Sequence, residues 1–309
     1  MTTSLMQTPH VTALLARASG LDQPGGDARL KQIVGRIVGD ICRTVEAFDV
    51  TPSEFWTAVG YLTRLGQANE GGLLVAGLGI EHFLDLVLDA REQAAGLAGG
   101  TPRTIEGPLW VPGAPLCKGE ARLDQDPEAG EVLFMEGQVR DIEGRPVAGA
   151  IVDVWHANTK GGYSHFDPSQ SRYNLRRRIE TDAEGRYRFR SILPAGYGCP
   201  PEGPTQQLLD QMGRHGRRPA HIHFFVTAPG FRKLTTQINI DGDEYLHDDF
   251  AFATRDGLIP PVMRHDDPAE INARGLNEPF ATIAFDFVLN REAADLPGVE
   301  VVRAHAEAA

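Results

Sequence analysis

The chain has 309 residues, room for about two domains of ordinary size, and its 41% hydrophobic content is that of a globular protein. A formal net charge of −12 excludes nucleic acid as a natural partner and favours a neutral small molecule over an anionic one. No apolar run approaches the roughly 20 residues that span a bilayer, Met1-Thr2-Thr3-Ser4-Leu5 lacks the basic-then-apolar order of a signal peptide, and Cys42, Cys117 and Cys199 form no Cys-x-x-Cys spacing, which excludes a zinc ribbon or iron–sulfur site and suits a reducing, cytoplasmic setting.

Up to about residue 104 the pattern is helical. A short helix over Val11 to Arg17 is followed by one from Asp27 to Phe48, with Leu30, Ile33, Ile37, Ile41 and Val45 near helical spacing. Thr51-Pro52-Ser53-Glu54 is a capping box that starts a third helix, running to about Ala68, in which Tyr61 packs. A fourth, Leu-rich helix spans Gly72 to Ala95 and is ended by Gly99-Gly100 and Pro102. These few helices carry more apolar surface than one chain readily buries, which points to association.

After Thr104 the pattern changes to strands and turns. Strands are expected at Val132 to Arg140, Ala150 to Trp155, Arg178 to Thr181, Gly185 to Phe189, His221 to Thr227, Thr235 to Ile240, Ala281 to Leu289 and Val299 to Val302. Glu143-Gly144-Arg145-Pro146 reads as a hairpin turn and Asp182-Ala183-Glu184 as another turn. Tyr187 alternates with Phe189 and belongs to the core, while Arg176-Arg177-Arg178 reads as a solvated edge. The fold class is therefore α+β: a helical domain over 1–104, then an all-β sandwich over 105–309 with helices at one end. The connections 156–177 and 194–217 exceed ordinary loop lengths and are expected to be functional.

His221-Ile222-His223 carries the chemistry. On a strand, i and i+2 share a face, so the two imidazoles point at one spot. Two protonated rings there would repel, whereas two neutral rings can share a transition metal; a buried, hydrogen-bonded pair satisfies the same pattern. His-Glu-x-x-His is absent. Tyr163 follows Gly161-Gly162, and Tyr197 lies between Gly196 and Gly198. Glycines at those places permit close approach and suit a side chain that is aimed, although two turn tyrosines fit the pattern as well. Two phenolates with two imidazoles match a hard trivalent ion better than zinc or copper(I), and two phenolates with one hydroxide neutralise Fe(III).

Gly162-Tyr163-Ser164-His165-Phe166-Asp167, Pro194-Ala195-Gly196-Tyr197-Gly198 and Arg218-Pro219-Ala220-His221-Ile222-His223 resemble the ligand segments of the intradiol ring-cleavage dioxygenases. Thr104-Ile105-Glu106-Gly107-Pro108-Leu109, Leu74 to His82, Lys233 to Ile238 and Asp248 to Phe252 extend the resemblance over nearly the whole chain, closest to the bacterial catechol branch. The resemblance implies Fe(III) held by Tyr163, Tyr197, His221 and His223, with Tyr197 the axial phenolate that leaves when substrate binds. It implies Arg218 and Gln237 as polar active-site residues. Ile105, Pro108, Leu109, Phe250 and Ala251 match positions lining the ring pocket, with Leu73 reaching in from the helical half. It further implies cleavage of catechol by O2 to cis,cis-muconate in aromatic compound degradation, a homodimer through the N-terminal helices, and a phospholipid at that interface.

Within the family, hydroxyquinol and chlorocatechols are the alternative substrates. A reading from another class is a non-enzymatic transthyretin-like sandwich, which Gly144 to Ala150 and Thr181 to Phe189 would satisfy; it leaves the two tyrosines and two histidines unexplained.

Overall fold

The computed structural model describes residues 4–293 and 296. The chain divides into two compact units, one up to Gln67 and one from Ala68 onward. In the first, a short 3-10 turn at Leu5–Gln7 precedes α1 (Pro9–Ala18), α2 (Ala28–Ala47) and α3 (Pro52–Gln67). The helix starts are side-chain capped. Asp27 accepts from the Leu30 N–H at 2.9 Å. In the expected capping box, Thr51 N–H donates to Glu54 at 2.8 Å and Glu54 N–H donates back to Thr51 Oγ1 at 3.3 Å. The apolar stripe of α2 stays uncovered: Leu30, Ile33, Ile37 and Ile41 are all exposed, and Gly39 is the one buried residue of that helix.

The second unit opens with α4 (Gly71–Gly77) and α5 (Ile80–Ala94). The sequence pattern predicts one helix here; the structure has two, bent by 64°. The break falls at Gly79, which adopts a left-handed φ of +72°. A methyl group on Gly77 would meet the Phe250 ring at 3.1 Å, and one on Gly79 would meet Phe252 at 3.3 Å. The two glycines therefore let the helix pair turn tightly over two aromatic rings. Among the described residues no single helix is long and apolar enough to cross a membrane.

The strands follow as β1 (Leu116–Lys118), β2 (Glu120–Arg122), β3 (Val132–Asp141), β4 (Ile151–His156), β5 (Arg176–Glu180), β6 (Arg186–Ile192) and β7 (Tyr197–Gly198). After α6 (Pro204–Gln211) come β8 (Arg217–Arg218), β9 (His221–Thr227), β10 (Leu234–Asn239), β11 (Met263–His265), α7 (Pro268–Ala273), β12 (Phe280–Ala284) and β13 (Phe287–Leu289). One sheet has the order β1-β5-β4-β9-β10, the other β11-β12-β3-β6-β2 with β13 also on β3, and β7 and β8 form a two-stranded ribbon. The expected strand at 299–302 lies outside the described residues.

Two local expectations are corrected. The turn at 143–146 closes as a hairpin, with an Arg140–Pro146 bridge and Val147 N–H on Val139 C=O at 2.8 Å. The chain then leaves for the other sheet, so β3 and β4 are not partners, and the turn at 182–184 likewise links β5 to β6 across the sandwich. The strand expected over 281–289 is split, because Asp286 Oδ1 takes the Gln138 N–H at 2.8 Å in place of a backbone rung. The long connection 194–217, expected from the sequence, carries the helix α6 and the β7–β8 ribbon.

The core lies between the sheets. β9 contributes Ile222, Phe224 and Val226, β4 contributes Val152 and Val154, and β3 and β6 answer with Leu133, Met135, Tyr187 and Phe189. With a period of two, the same register sends His221, His223 and Phe225 of β9 and Trp155 of β4 to the outer face. Tyr187 is core, as expected, and donates its hydroxyl to Phe285 C=O at 2.8 Å.

His156, at the end of β4, faces inward and ties the sheets together. Its Nδ1 donates to Ala157 C=O at 2.7 Å, so its Nε2 accepts from Ser191 Oγ of β6, also at 2.7 Å. Burial pushes this ring down to about 4 from 6.5. A proton therefore binds the unfolded chain better, and the stabilisation is full above 6.5 and lost as pH falls toward 4. We expect the urea-measured stability advantage of wild type over His156→Gln to shrink by about 3 kcal/mol between neutral pH and roughly pH 4; a pH-independent difference would show that His156 is not held neutral.

Candidate metal centre and ring pocket

The outer face of β9 supplies the first two donors. His221 and His223 are each about 1% exposed, and their Nε2 atoms face each other at 3.0 Å. His221 Nδ1 lies 2.6 Å from Pro219 C=O. A carbonyl can only accept, so Nδ1 carries the proton and Nε2 presents its lone pair outward. Burial, and next the Arg218 charge, hold the His221 ring down to about 3, so it stays neutral. His223 is fixed differently: the Trp155 indole stacks on it with ring centroids 4.9 Å apart and planes within 5°.

Tyr163 arrives on the loop after β4. Asn158 shapes its approach, accepting the Gly162 N–H on Oδ1 at 2.8 Å and giving its own N–H to Gly162 C=O at 2.8 Å. Gly161 has φ +80°, and a methyl there would meet Tyr197 Cβ at 2.8 Å. Tyr197 lies on β7, paired with Arg218 on β8. The two phenol rings meet edge to face at 5.4 Å, and Tyr197 lies 5.5 Å from the His221 ring. The glycines beside both tyrosines thus permit the close approach that the sequence suggested.

Tyr163 Oη is buried and has no well-aligned hydrogen-bond partner among the described residues. Burial, then the neighbouring Tyr197, hold this phenol well above its ordinary pKa, while Arg218 and Arg176 pull the other way. A buried phenol without a donor to it is costly as it stands. A cation shared by two phenolate oxygens and two imidazole nitrogens removes that cost, and the donor set suits a hard ion. No cluster of three or more His, Cys, Asp or Glu offers a competing site among the described residues. The residues present therefore fit iron.

Arg218 is the central cation, about 3% exposed. Its Nε and Nη2 reach Asp249 at 3.2 and 3.1 Å, Nη2 also donates to Gln237 Oε1 at 2.8 Å, and Nη1 lies 3.1 Å from His221 Nε2 and 3.5 Å from Tyr197 Oη. Burial alone would raise the Asp249 carboxyl, but the Arg218 guanidinium outweighs it and holds the group below the usual carboxylate range. Gln237 sits opposite His223 on β10 and is fully buried, so its amide orients Arg218.

The apolar residues gather beside this centre. Ile105, Phe250 and Ala251 share a buried cluster with Ala76, Cys199 and Leu209. Leu109 packs on the cluster that holds Trp155, Tyr163 and Phe225. Pro108 is exposed, with Gly72 of α4 close to it, and Leu73 is half-buried on that same helix.

Asp249, Trp155 and Arg176 are functional neighbours that sequence reasoning left without a role. Arg176 corrects the reading of a solvated basic run: it is about 1% exposed, with Nε on Ser164 Oγ at 2.9 Å, Nη2 on Ser164 C=O at 3.0 Å and its guanidinium 5.8 Å from the Tyr163 ring centre. It lies on the same outer face as Trp155, opposite it in the β4–β5 register. The signal for Asp249 was indirect, since a buried arginine beside two neutral imidazoles requires a carboxylate.

A family model described as "Catechol dioxygenase N terminus" matches residues 27–96, and one described as "Dioxygenase" matches 105–291. Catechol 1,2-dioxygenase of Acinetobacter baylyi is 53% identical over 295 residues, covering 94% of each chain. Catechol 1,2-dioxygenase 2 of Acinetobacter lwoffii is 61% identical over 84% of this chain and 94% of its own. The crystal structure of catechol 1,2-dioxygenase from Pseudomonas arvilla C-1 superposes with a TM-score of 0.93 at 56% identity, over 98% of this chain and 99% of that one. Chlorocatechol 1,2-dioxygenase of Rhodococcus opacus, by contrast, is 37% identical over 71% of this chain and 84% of its own.

Replacing Asp249 by Asn leaves the Arg218 charge buried without its counter-ion. We expect a loss of about 3 kcal/mol in chemical denaturation; a loss below about 1 kcal/mol would mean that Gln237 and the acceptors on Tyr197 and His221 suffice to hold Arg218.

Proposed function

Because the chain belongs to the intradiol catechol 1,2-dioxygenase family, we propose that Tyr163, Tyr197, His221 and His223 hold Fe(III) at the outer face of β9, where the bound ring of catechol is opened. The reaction is cleavage of catechol by O2 between its hydroxylated carbons, giving cis,cis-muconate, as part of aromatic compound degradation. The observation that carries the metal assignment is the convergence of two phenols and two imidazoles, with His221 and His223 Nε2 3.0 Å apart and Tyr163 Oη buried without an aligned partner among the described residues. Iron held by these four residues would supply Lewis-acid and redox chemistry to a bound catechol.

The chain's own residues do the rest. Tyr197, the less buried phenol, would be the base: as a phenolate, its Oη would take a proton from catechol. Arg218, locked by Asp249 and Gln237, presents Nη1 toward Tyr197 and His221 and stabilises negative charge that develops on the oxygens. Its geometry is fixed in advance, so little reorganisation is needed at the moment of reaction. Ile105, Leu109, Phe250 and Ala251, with Leu73 from α4 and Pro108 at the exposed rim, line the site for a flat apolar ring. Chlorocatechols and hydroxyquinol are disfavoured relative to catechol, since the higher identities lie with the catechol enzymes.

We assign residues 1–104 to dimerisation and 105–309 to catalysis. The exposed stripe Leu30, Ile33, Ile37, Ile41 is the surface expected to meet a second copy, with a phospholipid at that interface, and the protein is assigned to the cytoplasm. Sedimentation should give a dimer at micromolar concentration; a stable monomer there would remove the dimer assignment.

The metal assignment predicts a visible charge-transfer band and a reddish, iron-containing protein. Tyr197→Phe should keep part of the iron and one component of the band, while anaerobic catechol binding becomes slow and strongly pH-dependent. Tyr163→Phe should lose iron instead, because that phenolate stays bound throughout. Wild-type binding rate and pH profile in Tyr197→Phe would overturn the role given to Tyr197.

A further inference from the structure

The loop between Tyr197 and Arg218 grips α4 at both ends. Glu70, which immediately precedes α4, is about 5% exposed, and its Oε2 accepts the Thr205 N–H at 2.9 Å, in the first turn of α6. A methyl group on Gly203 would lie 2.1 Å from Glu70 Oε1, so only glycine fits beneath the carboxylate. At the other end, Arg214 follows α6 and turns back. Its Nη1 donates to the C=O of Gly77, the last residue of α4, at 2.7 Å, and its Nη2 to Phe250 C=O at 3.2 Å. The same guanidinium lies 4.9 Å from the centre of the Phe252 ring. Each contact satisfies a helix terminus, an N–H of α6 in one case and a carbonyl of α4 in the other.

These contacts join the segments that carry the pocket residues. α4 carries Leu73 and Ala76, and Ala76 packs with Phe250, Ala251 and Ile105 in one buried cluster. Phe250 is held from behind by its N–H on Arg217 C=O at 3.0 Å and by Arg214 on its carbonyl, with Gly77 pressed against its ring. Neither Glu70 nor Arg214 is a proposed iron ligand or lies among the pocket residues named above.

We propose that Glu70 and Arg214 are positioning residues that set ring selectivity: by clamping α4 to the α6 segment they fix the width of the pocket and exclude substituted rings. This rests on the reading that Leu73, Ile105, Phe250 and Ala251 enclose the substrate. A rigid wall makes an added ring methyl an overpacking problem; a wall free to recede accommodates it.

The test uses purified, iron-loaded Arg214→Met, Arg214→Lys and Glu70→Gln, with kcat and KM measured separately for catechol and 4-methylcatechol, and iron content and visible spectrum recorded alongside. In Arg214→Met the KM for catechol rises and the ratio of kcat/KM for 4-methylcatechol to that for catechol increases about five-fold or more, with kcat for catechol held within about two-fold and the spectrum unchanged. Arg214→Lys, which keeps one donor for the Gly77 carbonyl, returns the ratio toward wild type, and Glu70→Gln, which keeps an acceptor for Thr205, shifts it less than Arg214→Met does. A wild-type ratio in all three variants with iron and colour intact overturns the clamp and leaves the metal assignment standing. An equal loss for both substrates, with or without loss of iron, also overturns it. Should Glu70→Gln fail to fold, the two Arg214 variants decide the matter alone. Absence of iron and colour from the wild-type protein would instead overturn the proposed metal site, beside which the clamp presupposes a ring pocket.

Discussion

The alternation of side chains along β9 governs the rest of the structure. Ile222, Phe224 and Val226 enter the sandwich core while His221 and His223 leave it on the opposite face. A slip of one residue would put two imidazoles into the apolar interior and three large hydrophobic groups into the site. The hydrophobic energy of three fully buried side chains, about 2 kcal/mol each, therefore also sets the direction of the metal donors. β10 and β4 obey the same register. It places Gln237 beside His223 on one side and Trp155 on the other.

Charge balance is the second constraint. Arg218 is fully enclosed, so its cation is tolerable only with the Asp249 carboxylate against it. That pair leaves the guanidinium polarised toward Tyr197 and His221 without an excess charge to repel from the neutral rings. For the proposed metal site the two phenols complete the same logic on the other side, because as phenolates they would neutralise most of a trivalent ion. Arg176, 5.8 Å from the centre of the Tyr163 ring, instead organises the loop through the neutral groups of Ser164.

Much of this was legible in the residues. The histidine strand, the capping box, the core position of Tyr187 and the two long loops all follow from local pattern, since each depends on neighbours within a few positions. What escaped depends on partners far along the chain. Asp249 is 31 residues from Arg218, and nothing local pairs them. The interruption of the 72–95 helix is invisible to periodicity, because leucines continue at helical spacing through it; Phe250 and Phe252 are what make Gly77 and Gly79 indispensable. Arg176 to Arg178 look like a solvated run until the register shows Arg176 opposite Trp155 and under a loop. The tyrosines stand between these cases: their glycines were visible, but their convergence was carried by the family resemblance.

The ribbon of β7 and β8 has a consequence for motion. Tyr197 and Arg218 are opposite rungs of a two-residue ladder, and Gly196 is packed so tightly that a methyl group on it would strike Arg218 C=O at 2.6 Å. The main chain at Tyr197 thus has no slack, and any displacement of it would drag Arg218 out of its carboxylate cradle. The release proposed for Tyr197 is then a swing about its own side-chain torsions, with the peptide frame as a fixed pivot. Such rotations belong to a faster class of motion than loop opening, so the exchange of phenol for substrate can proceed while the cation that steadies the reacting oxygens stays where it is.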